Sequence, residues 1–156
     1  MECWVYWNKE LELVEVIKIK GINVTVISET KKKLKGTKMI GNYTMLYRGV
    51  SQNTRAHLGV VLRIDQKWTS RITNYSFVND CIITVRLKIN RGHITRIGVY
   101  AWKKVEKKKR GVSTKSYKKI VDKYNKSDSL TIYGDLNARV GNQPIPNVVG
   151  TLVKTA

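Results

Sequence analysis

"CIITVRLKIN", Cys81–Asn90, and "HITRIGVYA", His93–Ala101, lie on either side of Arg91 and Gly92. Both runs are rich in β-branched residues, and the polar break between them predicts a β-hairpin that turns at Asn90-Arg91-Gly92. Tyr100 then falls at the downstream end of the second strand. Further along, "SLTIYGDLN", Ser129–Asn137, reads as a strand leading into "YGDLNARVG", where Asp135 and Asn137 stand two residues apart in a short loop. Upstream, "INVTVIS", Ile22–Ser28, alternates apolar and polar residues like a strand, with Glu29 at its downstream end. "NYTMLYRGV", Asn42–Val50, and "HLGVVLRI", His57–Ile64, have strand composition and are expected to pair as neighbours, whereas "TKKKLKGTK", Thr30–Lys38, reads as a basic loop.

Helical signals are fewer. Leu11, Val14 and Ile17 recur at helical spacing within Glu10–Ile19 and predict a helix, with a strand as the alternative that the β-branched residues leave open, and Gly21 is placed to end that segment. Ser113 is a candidate N-cap for a helix whose Tyr117, Ile120, Val121 and Tyr124 share one face and whose other face carries lysines. The prolines of "QPIPNVVGTLVKTA" argue against regular structure directly after Asn142. Strands with few helices place the chain in the α/β class. Neither an internal repeat nor a domain boundary interrupts it, so one domain is expected.

The chain has 156 residues and is 42% hydrophobic, enough for a core of useful size. Its formal charge of +19 points to a polyanion as partner: DNA, RNA or an anionic membrane face. Cys3 and Cys81 form neither a CxxC pair nor a zinc-ligand spacing, which fits reduced thiols in an intracellular compartment. No apolar run approaches the roughly 20 residues of a membrane-spanning helix, and "MECWVYWNKE" lacks the pattern of a secretory leader. The expectation is a soluble, unsecreted protein that does not enter a membrane.

Glu29, Tyr100 and the Asp135/Asn137 pair each follow an apolar strand at its downstream end. Ligands collect at such ends because loops converge there while the sheet holds their roots. Two carboxylates in that position can share a hard divalent cation such as Mg²⁺, with waters and phosphate oxygens completing its shell. A tyrosine hydroxyl and an asparagine amide can donate to phosphate oxygens, where negative charge gathers during attack. Taken alone, these residues have plainer readings as well. Asp and Asn after a strand form Asx turns, Glu29 can be a solvated loop residue, and Tyr100 an ordinary strand aromatic.

"VISETKKK", "NRGHITRIGVYA" and "GDLNARVGNQPIPNVVG", in that order and spacing, resemble the endonuclease/exonuclease/phosphatase family. The likeness runs from about Val14 to Gly150 and is nearest to the apurinic-endonuclease-like domain of non-LTR (LINE) retrotransposons. The resemblance implies a DNase I-like four-layer α/β sandwich, a mixed sheet with flanking helices, and Mg²⁺- or Mn²⁺-dependent hydrolysis of DNA phosphodiester bonds in the nucleus. Glu29, in "SET", matches the family's metal-binding glutamate. Tyr100, in "GVYA", matches a tyrosine that contacts the scissile phosphate. Asp135 matches the aspartate that orients or activates the attacking water, and Asn137 the asparagine that positions phosphate and nucleophile.

Departures from the family pattern shape the remaining expectations. Asn8, in "YWN", lies nearer to Glu29 than the family's N-terminal asparagine does and is open to chance. Trp102 stands where the family commonly has proline. The family's later strands, a further aspartate and a Ser-Asp-His motif lie beyond Ala156, so an incomplete domain with its second sheet largely missing and impaired catalysis is expected. Its bared sheet face would favour self-association. The alternative is an inactive remnant acting as a basic, sequence-nonspecific nucleic-acid-binding protein. His57 and His93 match no catalytic motif and read as surface or turn residues. Two cationic runs flank the site: Lys31, Lys32, Lys33 and Lys35 after the glutamate, and Lys103 and Lys104 after the tyrosine. They read either as solvated loops or as contacts to the DNA backbone. Trp4 and Trp7 read as packing residues or as stacking platforms for bases.

Overall fold

The computed structural model of the chain describes residues 9–56, 58–100, 122 and 128–136. Helix α1 (Glu10–Ile19) is followed by strands β1 (Val24–Ser28), β2 (Lys35–Ile40), β3 (Tyr43–Arg48) and β4 (Val60–Asp65). A short helix α2 (Gln66–Thr69) then leads to β5 (Ile72–Asn79), β6 (Ile82–Ile89), β7 (Gly92–Tyr100) and β8 (Ser129–Asp135). The architecture is mixed α/β and mostly strand. One four-stranded sheet has the order β1-β4-β3-β2 and the other β5-β6-β7-β8. The first is antiparallel throughout. The second is mixed, because β7 and β8 run parallel.

The hairpin expected between the two apolar runs forms as read, with Ile89 opposite Gly92 across an Asn90-Arg91 turn. β4, the first half of β6 and the last four residues of β7 are buried at successive positions, so both of their faces are covered there. Between the sheets, Leu46, Val60, Leu62 and Ile64 pack in one core with Ile83, Val85 and Leu87. A Cβ at Gly98 would lie 3.3 Å from Val26, so β1 rests on β7 at a position that has no side chain.

This packing corrects the expectation of a largely missing second sheet. The apolar strands of the sequence do not share one sheet. Among the described residues they divide into two four-stranded layers whose inner faces bury each other. The bared face on which self-association was to rest is therefore covered. Two strands emerge that local sequence does not announce. β2 is an edge strand of alternating exposure built from the lysine-rich segment read as a loop, and β5 is a largely exposed edge strand of polar character.

Helix α1 settles the open choice at Glu10–Ile19, and its end is capped by two backbone bonds, Ile22 N–H to Ile17 O and Gly21 N–H to Lys18 O, both 3.0 Å. Val14 and Ile17 pack on Tyr43. Glu10 is buried and meets Lys32 Nζ at 3.0 Å and Lys38 Nζ at 2.9 Å. Lys32 is only 3% exposed, which corrects its placement on a solvated loop facing a polyanion. A single local fact explains the difference: a buried carboxylate lies within reach, and a charge leaves water only for such a partner.

The expected helix beginning at Ser113, the tail after Asn142, and Cys3, Trp4, Trp7, His57 and Trp102 lie outside the described residues. Cys81 is a free, buried thiol, and burial, with the charge of Asp80 behind it, pushes its pKa up to about 11. Such a thiol is unreactive at neutral pH. Among the described residues no helix is long and apolar enough to cross a membrane.

Glu10→Gln should lower the unfolding free energy by about 3 kcal/mol, as the loss of one partner from a buried ion pair does. Chemical denaturation measures it. Burial alone pushes the Glu10 carboxyl up, but hydrogen bonds and charge from Lys38 and Lys32 outweigh it and hold the carboxyl below its ordinary 4.5. Its folded-state value is thus the lower one. Its stabilisation is present above pH 4.5 and is lost as pH falls through the folded value, and the Gln variant should lack that part of the acid transition.

Candidate active site

Three strand ends meet at one end of the sandwich. Tyr100 closes β7 and Asp135 closes β8, and the two are partners in the parallel register. Glu29 follows the last residue of β1, in the opposite sheet. The Tyr100 hydroxyl donates a hydrogen bond to Glu29 Oε1, so the contact joins one sheet to the other. Tyr100 is 3% exposed, while Glu29 and Asp135 are open to solvent. Burial raises the Tyr100 pKa well above its ordinary 10.0, and the Glu29 hydrogen bond, the Glu29 charge and the Asp135 charge raise it further. The phenol is held protonated between two carboxylates.

Backbone, more than side-chain preference, fixes each member. Glu29 takes φ 54°, in the left-handed region that costs an ordinary residue roughly 1–2 kcal/mol. Lys31 and Leu34 share that conformation at φ 50° and 62°, and Leu34 exchanges backbone bonds of 2.8 and 2.7 Å with Val50 and Gly49. A Cβ at Gly49 would stand 1.7 Å from the Lys32 carbonyl oxygen, so the loop that begins at Glu29 lies directly on that glycine. Gly134 plays the same part for Asp135. Its φ is 131°, and a Cβ there would stand 1.8 Å from the Val99 carbonyl oxygen. Tyr100 is tied from below by its own N–H, which donates to Cys81 O at 2.9 Å.

Two residues at this end escape the sequence reading. Arg48, in one cross-strand row with Val60 and Ser28, donates at 2.6 Å to Asp80, in the turn that joins β5 to β6 of the other sheet. This ion pair is a second polar link between the sheets. Nothing in the local pattern of "LYRGV" or "VNDCI" announces it, because the partners are 32 positions apart. Beside the site, Arg96 donates to Thr131 Oγ1 at 2.9 Å and to the Tyr133 hydroxyl, which locks β8 onto β7.

Of the residues read from sequence, the structure thus brings together Glu29, Tyr100 and Asp135. Lys31, Lys33 and Lys35 are exposed on the segment after Glu29, with Lys33 Nζ donating to Gln52 O at 2.8 Å. Lys32 is turned inward to Glu10. His93 lies at the opposite end of β7, beside the hairpin turn. Asn8, Asn137, Lys103 and Lys104 lie outside the described residues. Among the described residues no group of three or more His, Cys, Asp and Glu side chains is poised to hold a metal. No protein-family model matches the chain, and no curated protein matches it.

Gly134→Ala should destabilise the fold by about 1–3 kcal/mol, because its methyl meets backbone that cannot turn aside. Thermal unfolding reads the loss. Because the folded-state pKa of Tyr100 is raised, its contribution to stability is fully present below pH 10.0 and is lost as pH rises beyond it. Glu29→Gln should bring the Tyr100 titration, followed by NMR of the ring, back toward lower pH.

Proposed function

We propose that this end of the sandwich is a phosphodiester-hydrolysing site of the endonuclease/exonuclease/phosphatase kind, carried on a DNase I-like four-layer sandwich and acting on DNA. The observation that carries the proposal is the meeting of Glu29, Tyr100 and Asp135, residues far apart in sequence that the resemblance assigns to one site. Two exposed carboxylates supply only hard oxygen donors. That set suits Mg²⁺ or Mn²⁺, which keep several waters and need few protein ligands, and it does not suit zinc. Glu29 would hold the cation, which when bound neutralises charge on the phosphate oxygens.

The chain's own residues then divide the work. Tyr100, kept protonated, is a hydrogen-bond donor available to phosphate once Glu29 turns to the metal. Asp135, exposed and beside it, is placed to orient water. Asn137 is assigned to phosphate by the resemblance alone, as are Lys103 and Lys104 to the DNA backbone. Lys31, Lys33 and Lys35 are exposed on the segment that follows Glu29 and suit contacts to phosphates on either side of the scissile bond.

A second reading, sequence-nonspecific nucleic-acid binding without hydrolysis, draws on the charge of +19. A plasmid-nicking assay in Mg²⁺ separates the two. The proposal expects nicking by the parent chain that falls at least about 100-fold in Glu29→Ala and in Asp135→Ala, while salt-sensitive DNA binding persists. Nicking that survives both substitutions contradicts the site. Binding without nicking by the parent selects the second reading.

A further inference from the structure

The edges of the two sheets are defended unequally. β2, at the edge of the first sheet, carries Lys35 and Lys38, the usual means of keeping a strand edge from pairing with another chain. β5, at the edge of the second, reads "ITNYSFVN": it has no charge, no proline and no glycine over its eight residues. Asn74, Tyr75, Ser76 and Val78 are exposed, with Tyr75 at 47% and Val78 at 43%. Two register shifts against β6 fall at the strand's ends, between Ile72 and Asn74 and between Phe77 and Asn79. They leave Asn74–Phe77 as a regular ladder position by position, exposed from Asn74 to Ser76 and with Phe77 half-buried against the core. On a chain of net charge +19, this is a long neutral stretch of backbone facing water.

We infer that β5 is a self-pairing edge, which joins antiparallel to β5 of a second copy of this chain about a twofold axis at Ser76. Three observations select a second copy as the occupant. First, the segment is self-complementary about Ser76. The twofold sets Tyr75 of one copy opposite Phe77 of the other, twice, and these rings already pack edge to face within one chain at 5.7 Å. Second, the strand has opposite charges at its two ends. Exposed Arg71 precedes it, and Asp80, which is paired with Arg48 and keeps 40% of its side chain exposed, follows it, so antiparallel pairing brings the Arg71 end of each copy to the Asp80 end of its mate. Third, the eight strands of such a dimer form one continuous sheet with the first sheets stacked on the same side. Among the described residues, no covered surface has to open.

An edge of this length buries little area, so the dimer is weak and depends on concentration. The net charge of each copy opposes it, and salt should therefore strengthen association, the reverse of its effect on binding to phosphates. Sedimentation of the full chain across concentration and salt tests the inference, with two variants. Ser76→Lys sets two like charges across the axis and should leave a folded monomer at concentrations where the parent dimerises. Ser76→Cys places two thiols at the 4.5–5.5 Å Cα spacing of antiparallel partners, within disulfide range, and should cross-link on mild oxidation far faster than Ser51→Cys in an exposed loop. A parent that stays monomeric at every concentration and salt overturns the inference. So does a dimer that Ser76→Lys leaves intact, or one in which the cysteine at 76 cross-links no faster than the control.

Discussion

The hydrogen bond from the Tyr100 hydroxyl to Glu29 joins two sheets whose shared core is apolar. It can form only if β1 and β7 end at the same level, and the rest of the described architecture serves that condition. Gly98 lets Val26 approach, so the two strands stack closely. Parallel pairing of β7 with β8 sets Asp135 beside Tyr100, and Gly134 permits the close approach of the two backbones. The Arg48–Asp80 pair ties the sheets together at the same end. A core of interdigitated aliphatic residues fixes the distance between layers, and the polar contacts fix their alignment.

The loop that carries Glu29 shows how position is bound to stability. Three non-glycine residues in left-handed conformation are not what "SETKKKL" would adopt unaided. The loop is held from outside, by backbone bonds to Gly49 and Val50 and by the burial of Lys32 against Glu10 of α1. Helix α1 thus does more than cover a sheet. Its first residue anchors the lysine three positions after Glu29, and removing either partner of that buried pair would leave an uncompensated charge under the strained loop's backbone.

How much of this was legible in the sequence follows from the range of the interactions. α1, the hairpin at Asn90–Arg91 and the placement of Glu29, Tyr100 and Asp135 at strand ends are local patterns, and all are visible in runs of about ten residues. β2 was hidden because an edge strand tolerates the lysines and glycine that elsewhere mark a loop. β5 was hidden because its polar, exposed residues carry no alternation strong enough to distinguish it. The inward turn of Lys32, the burial of Glu10 and the Arg48–Asp80 pair depend on partners far away in the chain. No propensity records them. The division of the strands into two sheets is of the same kind, because pairing partners are chosen by the whole core.

The central claim is that Glu29 and Asp135, brought together across the sheets around Tyr100, form a site for a hard divalent cation. Paramagnetic Mn²⁺ tests it directly, because the ion broadens NMR signals only near where it binds. Broadening should centre on Glu29, Tyr100 and Asp135, reverse on competition with Mg²⁺ and disappear in Glu29→Gln. Broadening centred elsewhere, such as at Asp65 or Glu12, or broadening at this end that persists in Glu29→Gln, would contradict it.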